Sequence, residues 1–165
     1  MAAALTILDR KAAAAQKTLD AWSVRPIKLG TSDCVRMSAF HLRLLGRKVK
    51  LPPSGSYRTV NSARKALKAA GYESLGAALD AMGLERIAPA AAVVGDIIAM
   101  PADDQLGALS ICLGNGRVLG YHEGNPNGAT VLHPLEFVAA WRVSPLTKAV
   151  AHSRGRLAGT AKREL

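Results

Sequence analysis

Aromatic residues are scarce in this chain: Phe, Trp and Tyr together make up 4% of its 165 residues. A core built without them rests on Ala, Leu, Val and Ile, and few rings remain to stack on nucleic-acid bases. Cysteine is scarce too. Cys34 and Cys112 are the only two, too few for a disulfide framework. No apolar run approaches the roughly 20 residues that cross a bilayer. The N-terminal stretch MAAALTILDRKAAAAQ has no basic leading region, and Asp9 and Arg10 interrupt its apolar residues, so it does not read as a signal peptide. The expectation is a soluble chain with no membrane span, synthesised in the cytoplasm.

Acidic residues are missing from one long stretch. Between Asp33 and Glu73 lie nine Lys or Arg residues and no acid, in a chain of formal net charge +10. Such a face suits a polyanion or an acidic protein neighbour, and it suits equally well a solvated surface with no specific partner. What is present points to a folded domain. Hydrophobic residues make up 49%, which excludes disorder of the whole chain. The length fits one ordinary domain that buries about two thirds of its unfolded surface. Neither Cys-x-x-Cys nor His-x-x-x-His spacing occurs, so no metal site is read and no cofactor is expected. Gly114 and Gly116 lack the strand-to-helix context of a phosphate loop.

Helical patterning dominates the first half. Leu5 to Trp22 carries apolar residues at helical spacing, ended by the loop Arg25 to Gly30. A second helix begins around Thr31-Ser32-Asp33 and stops at Gly46. Thr59 caps a third helix through Ala70, and Ser74 to Met82 forms a short fourth. After Pro89 the pattern changes to strands: Gly95 to Met100, Ala108 to Leu113 and Arg117 to His122, with Ala129 to His133 and Ala140 to Val143 as two more. Gly114-Asn115-Gly116 reads as a hairpin turn. Helices first and antiparallel strands second imply an α+β fold with N-terminal helices packed on a small antiparallel sheet. The expected layout is an N-terminal helix over 1–24, a main domain over 25–144 and a basic mobile tail over 145–165.

Cys34 is the first candidate for chemistry. It follows the cap candidates Ser32 and Asp33 and falls in the first turn of a helix, where unpaired N–H groups and the helix dipole favour a thiolate. A cysteine nucleophile also needs an imidazole within hydrogen-bond reach and a polar group to orient it. The alternative is a small apolar side chain packing the second helix. His41 lies seven positions beyond Cys34 on the same helix, about 10 Å along the axis, and cannot serve as its base. His133 and His152 read as surface residues.

The order of these segments resembles the NlpC-type, papain-like cysteine peptidases. Trp22, Gly30 and the Asp33-Cys34 helix start come first, then a helical insertion, then Gly95-Asp96-Ile97-Ile98, then a strand ending Leu113-Gly114-Asn115-Gly116 and a returning strand. The resemblance covers Trp22 to Val143 and is nearest to small phage-encoded members found beside tail genes. It implies a papain-like (NlpC-type) fold with Cys34 at the nucleophile position, the Cys34 backbone N–H as one oxyanion donor, and Asp96 as a structural turn residue. The chain departs from the pattern at the base. Aligning Leu113-Gly114-Asn115-Gly116 on the family's turn puts Ala108 where the base His belongs, and alanine takes no proton. His122, on the returning strand, is the remaining candidate base, and a shift of hairpin register would bring it towards Cys34. The other reading of His122 is a polar residue at the mouth of a groove.

Three functions follow as expectations. The first is a structural component of a phage tail or tail tip, located in the virion, with a degenerate peptidase domain and other tail proteins as partners. The second is an active cysteine-dependent endopeptidase that cuts cell-wall peptides during genome entry, with peptidoglycan as substrate and Cys34 and His122 as its catalytic pair. The third is nucleic-acid binding from charge alone, ranked last because no binding motif accompanies the charge.

Overall fold

A computed structural model describes residues 3–103 and 106–146. The fold is mixed α+β: four helices followed by one six-stranded antiparallel sheet. The helices are α1 (Ile7–Trp22), α2 (Cys34–Leu44), α3 (Val60–Ala69) and α4 (Leu75–Ala81). Each begins at a side chain that satisfies an orphan N–H: Thr6 accepts from Asp9, Asp33 from Arg36, Thr59 from Ser62 and Ser74 from Ala77. Thr6 and Thr59 close reciprocal capping boxes with Asp9 and Ser62.

The strands are β1 (Glu85–Ile87), β2 (Ile97–Met100), β3 (Ala108–Gly114), β4 (Arg117–His122), β5 (Asn125–Leu132) and β6 (Ala139–Arg142). Their order across the sheet is β1-β6-β2-β3-β4-β5. β1 was not expected, and β5 begins four residues before the expected strand. Its early part is irregular: His122 pairs with Asn125 while Gly120 pairs with Thr130.

Alternation along the strands gives the sheet two unequal faces. Ile97, Leu109, Ile111, Leu119 and Trp141 point at the helices and join Ala14, Trp22, Met37, Leu42 and Leu45 in the main core. Ile98, Cys112, Val118 and Ala140 point the other way and form a small second cluster with Met100, Leu132 and Phe137. β2–β3 pairing keeps this parity consistent, with Ile97 opposite Ile111 and Ile98 opposite Ser110.

One buried carboxylate ties the layers together. Asp96 accepts from Val93 N (2.9 Å) and Val143 N (3.0 Å), pairs with Lys11 from α1 and lies 3.4 Å from Arg142. Lys11 is only 2% exposed. Gly95 permits this approach, because a Cβ there would sit 2.7 Å from Lys11 Cβ. The expected role of Asp96 as a turn residue thus widens to an anchor for α1, β2 and β6. His41 packs beside it, with Nε2 donating to Gly95 O (2.8 Å) and Nδ1 3.3 Å from Thr18 Oγ1.

The N-terminal helix α1 contributes Ala14, Ala15 and Trp22 to the main core that it shares with the rest of the domain. At the other end, Leu146 N donates to Leu45 O (2.8 Å) and Arg10 holds Leu146 O (3.1 Å). Residues 145 and 146 of the expected tail are therefore part of the fold, and 147–165 lie outside the described residues. Among the described residues no helix is long and apolar enough to cross a membrane.

Candidate functional site

Cys34 is the first residue of α2, and Asp33 is its N-cap. The Asp33 carboxylate, 2% exposed, does more than cap. It accepts from Arg36 N (2.9 Å), from Gly30 N in the preceding loop (2.8 Å) and from the Tyr57 phenol in the loop after α2 (2.8 Å). Gly30 has φ +90°, and a Cβ there would sit 2.0 Å from Tyr57 O, so the two loops meet backbone to backbone. Arg36 extends the strap: its Nη2 donates to Pro52 O (2.7 Å) and Pro53 O (3.2 Å), and its guanidinium lies 5.6 Å from the Tyr57 ring. Burial, with the adjoining Asp33 carboxylate second, pushes the Tyr57 phenol well above its usual value. Tyr57 is therefore a fixed donor to Asp33 at any ordinary pH.

Beside this strap lies a cavity of about 360 Å³ between α2, the loop over 48–52, α3, α4 and the start of β3. Cys34 and Ser38, one turn apart, line it from α2 together with Val35, Ala39 and Leu42. Cys34 is half-buried.

The sheet residues nearest this wall differ from the expectation. Ala108 opens β3, as a base residue would, but its side chain shares parity with Ser110 and Cys112 and points to the outer face. Leu109 is the β3 residue that lines the cavity with Cys34. On β3 the cavity that Cys34 lines thus takes Leu109, while Ala108 lies on the outer face. From β4 the neighbouring side chain is Tyr121, which packs on the main core and donates to Arg25 O (3.0 Å). Burial first, then the charge of Asp33, pushes the Tyr121 phenol up to about 12.

The histidines are placed elsewhere. His122 follows Tyr121, which packs on the main core, and so projects from the opposite face of β4; it is exposed, and its Nδ1 accepts from Gly124 N (3.0 Å). The β3–β4 hairpin does shift register, but between Cys112 and Gly114 beside the turn, with the extra residue on β3; a second shift, beside His122, puts its extra residues on β5. The structure thus does not bring His122 to Cys34. His41 is fully buried against Gly95 and Thr18, and burial lowers its pKa. His133 follows β5 level with the start of β4, at the other end of that strand from Tyr121. His152 lies outside the described residues. Among the described residues no group of three His, Cys, Asp or Glu converges as metal ligands would.

Sequence reasoning named Asp33 only as a cap candidate and missed Tyr57, Ser38, Leu109 and Tyr121. Parity carried a usable signal for Leu109, since Leu109, Ile111 and Leu113 alternate with Ser110 and Cys112. Nothing local marks Tyr57, which is 24 positions from its partner Asp33.

No curated protein matches the chain. A family model does match, over residues 8–143, which runs from the first turn of α1 to the residue after β6. The chain belongs to that family, described as Domain of unknown function (DUF6950).

Proposed function

We propose that this chain is a papain-like, NlpC-type domain that has lost the general base, and that it serves as a structural component of a phage tail. The observation that carries the loss of catalysis is the wall facing Cys34. It offers Leu109 from β3 and Tyr121 from β4, while His41, His122 and His133 are directed elsewhere. Among the described residues this wall carries no imidazole, which a cysteine peptidase needs both as the base that activates its thiol and as the acid that protonates a leaving amine. Leucine and a high-pKa phenol supply neither near neutral pH.

The papain-like assignment is supported by element order. A cysteine opens the helix that packs on the sheet, a helical insertion follows, and Gly95-Asp96 leads into the first of four hydrogen-bonded neighbours, β2, β3, β4 and β5. The structural role is supported by what the domain maintains without catalysis. Asp33, Tyr57 and Arg36 still hold the loops around the thiol, and the acid-free stretch from 34 to 72 offers cations to neighbouring proteins.

Two measurements test this. Immunogold labelling of purified phage particles that encode the chain should mark the tail; labelled particles free of tail signal would overturn the structural assignment. Iodoacetamide alkylation of Cys34 should slow steadily from pH 8 to pH 5. A fast plateau below pH 7 would reveal a thiolate–imidazolium pair and restore the peptidase reading.

A further inference from the structure

The cavity beside Cys34 has features that a degenerate catalytic cleft does not account for. It is lined chiefly by hydrocarbon, including Leu67, Leu75, Leu79, Met82, Leu106 and Leu109. Its volume of about 360 Å³ falls within the range of small-molecule sites, roughly 300–1,000 Å³.

Ser38 is the second observation. It is 2% exposed, lines the cavity, and its Oγ has no hydrogen-bond partner among the described residues. A helical serine commonly satisfies its hydroxyl on the carbonyl one turn back, as Thr18 does on Ala14 O (2.8 Å). Ser38 forgoes that bond. An unmet buried hydroxyl is destabilising, so a ligand atom that pairs with it makes an interaction the unliganded protein lacks.

Charge is the third. Lys48 and Lys50 line the cavity and are exposed. Among the described residues the one acid on the wall, Asp33, is already committed to Gly30 N, Arg36 N and the Tyr57 phenol. Ser38 Oγ and the two lysines thus offer donors to an anion, and the leucines and Met82 offer a surface to a hydrocarbon chain.

We propose that this cavity binds a free medium-chain carboxylic acid, its chain against α3 and α4 and its carboxylate accepting from Ser38 Oγ beneath Lys48 and Lys50. No bond is made or broken. The proposal does not rest on the phage-tail reading, and it holds whether or not Cys34 reacts.

Isothermal titration of decanoate into the full chain at low salt tests it. Saturable one-to-one binding is expected, weakened about tenfold by Ser38→Ala, the value of one hydrogen bond to a charged group. Replacing Lys48 and Lys50 together by Gln should weaken decanoate about tenfold or more and remove its salt dependence. Decanol should bind at least about tenfold more weakly than decanoate. Ala66 and Ala78 both line the cavity, so Ala66→Phe and Ala78→Leu should each abolish binding while thermal melting remains cooperative; either one that folds suffices. No saturable binding to the wild type, or decanoate binding that survives a folded cavity-filling variant, overturns the site. Decanol binding as tightly as decanoate overturns the carboxylate assignment. Co-sedimentation with phosphatidylglycerol vesicles that a cavity-filling variant abolishes would assign the cavity to a bilayer lipid and overturn the free-acid reading.

Discussion

Asp33 shows how much one side chain can organise. Its carboxylate is buried and accepts three donors from three segments: the loop before α2, the first turn of α2 and the loop before α3. Asp33→Ala would strand those donors and remove the N-cap. A loss of about 3 kcal/mol or more is expected in urea unfolding. Tyr57→Phe removes one of the three and should cost about 1–2 kcal/mol. Equal losses for the two variants would show that the strap contributes no more than a single bond. His41 belongs to the same scale. Desolvation lowers its pKa, with Lys11 adding to the effect, while Asp96 and the carbonyls of Gly95 and Ala14 oppose it. A depressed histidine favours the neutral form in the fold. Its contribution is complete above the unfolded value of about 6.5 and is lost as pH falls below it, by up to about 1.4 kcal/mol per unit. Urea midpoints between pH 7.5 and 5 should fall more for wild type than for His41→Gln. Parallel profiles would mean that His41 titrates alike in both states.

At the scale of elements, the helices were legible because each carries its own start signal: Thr6, Asp33, Thr59 and Ser74 all cap as their side chains suggest. Strands depend on partners and were read less completely. Glu85-Arg86-Ile87 has no alternation of its own and becomes β1 by pairing with Ala140, Trp141 and Arg142 on β6. Asn125-Pro126-Asn127-Gly128 has the composition of a turn, yet it opens β5, with Pro126 O accepting from Ile27 N (3.0 Å). The site was hardest to read because its geometry turns on parity. A one-residue slip exchanges the two faces of a strand, and that slip separates Ala108 from Leu109. It also yields a prediction. Leu109→His places an imidazole on the Cys34 side and should raise the rate of Cys34 alkylation below pH 7, whereas Ala108→His should not. If Ala108→His is the variant that accelerates alkylation, the assigned faces of β3 are reversed.

The whole molecule is held by links between layers as well as by its apolar core. Lys11 of α1, Asp96 before β2, and Arg142 and Val143 at the end of β6 meet at one carboxylate. The Asp80 carboxylate of α4 accepts from Arg86 (3.0 Å) and from Trp141 Nε1 (2.8 Å), joining that helix to β1 and β6. Removing one member of a buried ion pair leaves an uncompensated charge, so Lys11→Met should cost about 3–5 kcal/mol. Pairing Lys11→Met with Asp96→Asn should cost less than the sum of the single changes, as a double-mutant cycle on urea midpoints would record. A framework tied in this way does not depend on catalysis, because none of these links uses the Cys34 thiol, and that suits the proposed loss of the base. The most direct measurement is digestion of purified Gram-negative peptidoglycan by the wild-type chain and by Cys34→Ala, both shown to be folded, with the released muropeptides resolved. The account predicts identical profiles with no peptide bond cleaved by either protein. Cleavage by the wild type that disappears with Cys34→Ala would contradict it and establish an active cysteine peptidase.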